Sequence, residues 1–243
     1  MSVEIGYLAL LLDAPLQSWG FQSRFQRRTT GLHPTKSGVI GLICAAMGVA
    51  KGSAKERELL PKLAELSMTS IAIPRQQASR WKGKVEDWPV RRLEDFHTVL
   101  GTRRASGTLN DDPVVTRRQY LLDARFGVIL SGDRALLEHV AAALENPTWG
   151  VWFGRKSCIP AEPLFRGLHE TLAEARKTLI GDTPLEAFTR VTDAPSFAAG
   201  TDSYNDVPVS FGREDSSSEG RQFALRRVNV EVGRTAEPGG EPE

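Results

Sequence analysis

Two cysteines in 243 residues are too few for a disulfide framework, and the chain is long enough to fold without one. Cys44 lies within an apolar run and Cys158 in a glycine-rich basic loop, so both read as reduced thiols. No Cys/His spacing suggests zinc, and no acidic cluster suggests a two-metal centre, so no cofactor is expected. The N-terminus lacks the basic-then-apolar pattern of a signal peptide. No uninterrupted apolar run approaches the roughly 18 to 20 residues that a membrane span needs. These absences predict a soluble, cytoplasmic protein that does not engage a membrane.

Acidic charge is missing from one long stretch. Between Ala14 and Lys55 there is no Asp or Glu, while Arg24, Arg27, Arg28, Lys36, Lys51 and Lys55 are basic. From Ile71 to Val128 eleven Lys/Arg face seven Asp/Glu, with arginines paired at 91–92, 103–104 and 117–118. The net charge is only +1. A local basic face on a nearly neutral chain points to a polyanion at one surface.

The coarse pattern is mixed. Ile5 to Leu12 is short and apolar enough for a buried strand, and Leu16 to His33 reads as a long polar, aromatic and basic loop. Helices are expected over 38–50 and 54–66, then a strand over 67–73. Residues 74–116 lack apolar periodicity and read as an insertion, in the form of a long hairpin. A strand over 119–130, a helix from 132 to 144 and a strand over Trp149 to Phe153 complete the series. This order matches an α+β, ferredoxin-like βαββαβ core. Beyond it, 188–192 and 226–232 read as strands in an irregular C-terminal part. Residues 200–222 read as a mobile loop, and 234–243 as a disordered acidic tail.

Three segments could carry chemistry. In Gly31-Leu32-His33-Pro34-Thr35-Lys36-Ser37-Gly38, a helix N-terminus, a lysine and two hydroxyls would suit a phosphate. The segment is a near-miss to a nucleotide-binding P-loop, with Thr35 standing where the second glycine would be, so NTP hydrolysis is a weak alternative. In 74–116, arginines interleave with Trp81, Trp88 and Phe96, a mixture suited to single-stranded nucleic acid or to a protein neighbour. Phe153-Gly154-Arg155-Lys156-Ser157-Cys158 joins a permissive glycine to two cations. His33, His97, Tyr120 and Lys36 supply the group types for metal-independent RNA cleavage, although nothing in their spacing brings them together.

Several blocks, in order, resemble one family. They are Leu10-Leu11-Leu12-Asp13-Ala14-Pro15-Leu16-Gln17-Ser18-Trp19-Gly20, Pro34-Thr35-Lys36-Ser37-Gly38-Val39-Ile40-Gly41-Leu42 and Asp95-Phe96-His97-Thr98-Val99-Leu100-Gly101. Arg118-Gln119-Tyr120-Leu121-Leu122-Asp123-Ala124 and the 153–158 block follow, and Arg221-Gln222-Phe223-Ala224 fits more loosely. Together they resemble the Cas-five family of CRISPR Cascade subunits, within the RAMP superfamily, in its type I-E branch. The resemblance implies an RRM-related palm (1–73 and 117–233) with an inserted thumb (74–116). It implies a non-catalytic subunit that holds the repeat-derived 5′ handle of CRISPR RNA and caps the backbone filament. The implied partners are the CRISPR RNA, the CasC backbone subunit and the CasA large subunit, with target DNA met indirectly through the complex. Gln17, Trp19, Arg24, Arg27, Arg28, Thr35, Lys36, Ser37, Gly154, Arg155, Lys156 and Ser157 would line the handle. His97, Arg103, Arg104, Arg117 and Arg118 would sit on or near the thumb. Type I-C relatives cut precursor RNA, which leaves a metal-independent endoribonuclease as the alternative reading.

Overall fold

The near-continuous apolar run at the start forms a strand, β1 (Ile5–Asp13), buried on both faces. Leu8, Leu10 and Leu12 join one hydrophobic cluster, and the alternating Ala9 and Leu11 join another on the opposite face. In this computed structural model the described residues are 4–20, 26–78, 85–104, 106–212 and 220–233. Arg24, Trp81 and the tail 234–243 lie outside them.

After β1 come two short strands, β2 (Leu16–Gln17) and β3 (Arg27–Arg28), within the segment expected to be loop. Two helices follow, α1 (Lys36–Ala46) and α2 (Ala54–Glu65), close to the expected bounds. Thr35 caps α1 by accepting from the Gly38 amide at 3.2 Å, and Ser53 caps α2 through Glu56 at 3.1 Å. β4 (Ser67–Ala72) then returns to the sheet. The expected insertion contains β5 (Arg75–Ala78) paired with β6 (Val85–Trp88). It continues into β7 (Arg91–Val99), which pairs along its whole length with β8 (Val114–Leu122). A turn at Asp123, whose φ is +51°, separates β8 from β9 (Arg125–Asp133). The single strand expected over 119–130 is therefore two strands in two sheets.

α3 (Arg134–Glu145) lies where expected. The expected strand at Trp149 to Phe153 does not form. That segment is pinned to the end of α1, with the Thr148 and Trp149 amides donating to Ala46 and Ala45 carbonyls at 2.8 and 3.2 Å. The strand that follows α3 in the sheet is β10 (Phe165–His169), and it leads into α4 (Leu172–Ile180). β11 (Arg190–Asp193), β12 (Asp202–Ser210) and β13 (Gln222–Glu231) complete the chain. β12 occupies much of the segment expected to be a mobile loop, while residues 213–219 lie outside the described set.

The main sheet runs β10-β1-β9-β4-β11-β13-β12, and every neighbouring pair is antiparallel. β1 and β4 flank β9, each antiparallel to it, and are joined through α1 and α2. Helices α1, α2 and α3 contribute to the larger core cluster; α4 covers the other face through Ala175 and Leu179. In the second sheet β8 carries β7 on one edge, and on the other β2 (antiparallel) and β3 (parallel).

Candidate nucleic-acid interface

The corner after β1 is held by a buried side-chain amide. Gln17 donates from Nε2 to the Leu12 and Ala124 carbonyls at 2.9 and 2.7 Å, and its Oε1 accepts from the Trp19 indole N–H at 3.0 Å. Trp19 is 1% exposed and stacks on Phe153 with centroids 5.9 Å apart. Their polar atoms are thus already satisfied, and both side chains shape the site from below. Gln17 is wholly buried, whereas Trp19 still borders the groove described below. The Ser18 amide donates to the Phe153 carbonyl at 3.0 Å, so two distant sequence blocks meet. Gly154 is required at that junction: its φ is +94°, and an added Cβ would lie 1.7 Å from the Ser18 carbonyl oxygen.

The start of α1 is closed by the chain's own carboxylates. The Lys36 amide donates to Asp206 at 2.8 Å, and Lys36 Nζ to Asp193 at 3.0 Å. Arg226 donates to both oxygens of Asp206, at 2.6 and 3.0 Å, and also to Asp193. Burial alone would lower the Arg226 pKa, but the hydrogen bonds and charges of Asp206 and Asp193 outweigh it and raise the pKa. Two cations and two anions balance in this network. Lys36, expected to meet a phosphate, is here paired with Asp193, and the residue is 5% exposed. Thr35 is buried as the cap, while Ser37 is half-buried at the surface of the helix start.

Arginines crowd the second sheet. The parallel pairing of β3 with β8 sets Arg27 opposite Arg117 and Arg28 opposite Arg118. Like charges in direct register oppose each other. Arg117 lies over Phe96 at 4.8 Å and 3.8 Å from Glu94, and Arg118 donates to Thr116 at 3.0 Å. Arg155 covers the Tyr120 ring at 4.5 Å and donates to the Gln119 and Arg28 carbonyls, both at 3.1 Å. It therefore ties the 154–158 turn to β8 and β3. Lys156 and Ser157 are exposed, with Lys156 5.9 Å from the Trp152 ring.

These pieces border one groove of about 680 Å³. Ser18, Arg28, Ser37 and Arg155 stand on its lining together with Trp19, Thr35 and Gly154. The opposite contribution comes from the β12–β13 hairpin, through Asn205, Asp206, Phe211, Arg221, Phe223 and Leu225. Sequence reasoning missed this wall. The alternation along 222–231 and the loose Arg221-Gln222-Phe223-Ala224 block were the available signals.

The remaining expected residues lie elsewhere. His97 is exposed on β7, 4.0 Å from Asp95. Arg103 donates to the Gly107 carbonyl and Arg104 to Asn110, each at 3.0 Å, in the connection beyond β7. The four cleavage candidates are not assembled. His97 pairs with Thr116, four residues from Tyr120 along β8, a separation of about 13 Å. Tyr120 is buried beneath Arg155, and Lys36 is ion-paired. His33 packs 5.7 Å from the Phe126 ring, and desolvation by burial lowers its pKa to about 4. Burial likewise raises the Cys44 thiol to about 12 and pushes Cys158 up. Among the described residues no group of three or more His, Cys, Asp or Glu side chains could hold a metal ion. No described helix is long and apolar enough to cross a membrane.

Comparison with known proteins places this geometry. The family model described as CRISPR-associated protein (Cas_Cas5) matches residues 7–229. The chain is similar to the CRISPR system Cascade subunit CasD of Escherichia coli (strain K12), 29% identical over 185 residues, covering 74% of this chain and 78% of that one. It resembles a chain in a solved CRISPR RNA-guided surveillance complex, with a TM-score of 0.67 and 28% identity, covering 92% of this chain and 88% of that one. A crystal structure of a Cas protein matches with a TM-score of 0.61 and 31% identity, over 93% of this chain and 94% of that one.

Proposed function

The chain belongs to the Cas5 family of CRISPR-associated proteins, and from that premise we propose that it is a CRISPR RNA-binding subunit of a type I-E Cascade complex. In this reading it holds the repeat-derived 5′ handle, caps the backbone filament and does no cutting of its own. The observation that carries the reading is the groove. Residues from the blocks at 18–20, 34–38 and 153–158 converge on it from separate parts of the chain, with Arg28, Arg155 and Arg221 on its lining. Asp206, the one carboxylate among the described lining residues, is neutralised by Arg226, so the described lining carries net positive charge that suits a polyanion. Arg27, Arg117 and Arg118 would extend that charge beyond it; counter-charge from phosphates would relieve the crowding between β3 and β8. Ser37, Lys156 and Ser157 would add contacts at its ends.

The four strands β10-β1-β9-β4 with their helical crossovers follow the order and directions of a ferredoxin-like core, which supports reading 1–73 and 117–233 as the palm with its C-terminal extension. The β5–β6 and β7–β8 ribbons fit a thumb at 74–116, although β8 runs across that boundary without interruption. His97, Arg103 and Arg104, on or beside this ribbon, would then face a neighbouring CasC subunit or its RNA, and CasA would dock alongside.

The test uses end-labelled repeat RNA and the purified full chain in EDTA, on paired native and denaturing gels across a salt series. A shifted, uncut band that weakens with salt and prefers the 5′ handle over scrambled RNA is the expected result. Discrete cleavage that disappears in His97→Ala would overturn the reading in favour of a processing endoribonuclease.

A further inference from the structure

We propose that Phe223 and Leu225 form a stacking platform for a single nucleobase, whose edge is read by Asn205. This rests on the RNA-binding reading and adds to it a subsite that selects one nucleotide. Phe223 and Leu225 are alternate residues of β13 and so share a face, and Asn205 of β12 stands directly opposite Leu225. All three line the groove. Leu225 is 51% exposed and Phe223 is half-buried, so apolar surface remains open to a ligand.

One exposed leucine needs no explanation. An aromatic and an aliphatic side chain side by side, in a groove that also holds Arg28, Arg155 and Arg221, form a different case. The cations suit the phosphates on either side of a nucleotide, and the apolar pair suits its π-face. The Asn205 amide carries both donors and an acceptor, which matches the mixed hydrogen-bonding edge of an unpaired base.

The platform is also held rigidly. A bulge between Asn205 and Val207 takes Asp206 out of the ladder. The Asp206 carboxylate is then bound by the Lys36 amide and Arg226, which fixes the hairpin against α1. At the other end of β12 the Phe211 amide donates to Glu56 of α2 at 3.0 Å. A wall anchored at two points can stack a base without first being ordered.

The experiment measures affinity of the full chain for repeat RNA, and for a series in which each handle nucleotide in turn is made abasic. Phe223→Ala is expected to weaken binding by roughly 5- to 150-fold at fixed salt. The salt slope should not change, because no cation is removed. One abasic position should weaken the wild-type chain and have no further effect on Phe223→Ala. Asn205→Ala should lose base preference at that same position. Phe223→Trp should restore affinity, and RNA should quench the new indole, a readout that stands even if the alanine variant unfolds. Unchanged affinity in Phe223→Ala, or a loss additive with every abasic position, would overturn the platform. If the wild-type chain binds no RNA, the underlying reading falls with it; if it binds but Phe223 couples to no position, only the platform falls.

Discussion

The Asp206 carboxylate accepts the backbone N–H of Lys36 at 2.8 Å, so an internal anion from β12 closes the N-terminus of α1. The same carboxylate is gripped by Arg226, and Lys36 is held by Asp193. A helix start that could have served a phosphate serves instead to fasten the last hairpin to the core.

Removing one member of that network leaves a buried charge uncompensated. Asp206→Ala is expected to destabilise the fold by about 3–5 kcal/mol. Urea unfolding followed by circular dichroism measures this directly. A midpoint within error of the wild type would show that Arg226 finds another partner.

Gly154 makes a sharper demand. Its φ of +94° is a glycine conformation, and a Cβ there would lie 1.7 Å from the Ser18 carbonyl oxygen. Gly154→Ala must therefore move the 153–158 turn away from the β1–β2 corner, at a cost of about 3 kcal/mol. The neighbouring Lys156→Ala is the control, because that side chain is exposed, with its ammonium 5.9 Å from the Trp152 ring. Equal stability in the two variants would contradict this reading.

Much of the frame was legible because burial writes itself into local sequence. The two-sided apolar run of β1 and the Leu59, Leu63 and Leu66 side of the second helix follow from hydrophobic pattern, and the start of α1 at Thr35 from its capping residue, while Leu60, also buried, was not singled out. Trp149 to Phe153 misled because aromatic residues suit strands, while here tertiary bonds to Ala45 and Ala46 decide the path. β12 was hidden by its polar composition, Asp202-Ser203-Tyr204-Asn205-Asp206, whose burial comes from Arg226 and α1 on distant parts of the chain. For the same reason Lys36 looked like a phosphate ligand: its partner Asp193 lies 157 residues away. The groove inherited this blindness, since half of its wall belongs to that hairpin.

His33 sets an acid limit. Desolvation lowers its folded pKa to about 4 from an ordinary 6.5, so protonation favours the unfolded chain. Its contribution to stability is complete above pH 6.5, declines as pH falls, and is gone once pH has passed through the folded value. The loss by pH 5 is on the order of 2 kcal/mol. Denaturant midpoints at pH 7.5, 6 and 5 for the wild type and His33→Gln check this. The variant should show the smaller decline over this window, and parallel declines would exclude His33 as the source.

Arg28 and Arg155 border the same groove, yet their substitutions should separate. Arg155 donates to the Gln119 and Arg28 carbonyls and covers Tyr120, so Arg155→Ala removes ties between three segments and should lower stability by about 1–3 kcal/mol. Arg28 is exposed, and only its backbone carbonyl serves that turn. Arg28→Ala should keep the wild-type unfolding midpoint, weaken repeat-RNA binding and flatten the dependence of log affinity on log salt by about one unit. Filter binding between about 50 and 300 mM salt, over which the Debye length falls from roughly 14 to roughly 6 Å, measures the affinity and its salt slope on one sample. A weaker affinity with an unchanged slope would mean that Arg28 acts by shaping the groove. An unchanged affinity would remove it from the interface.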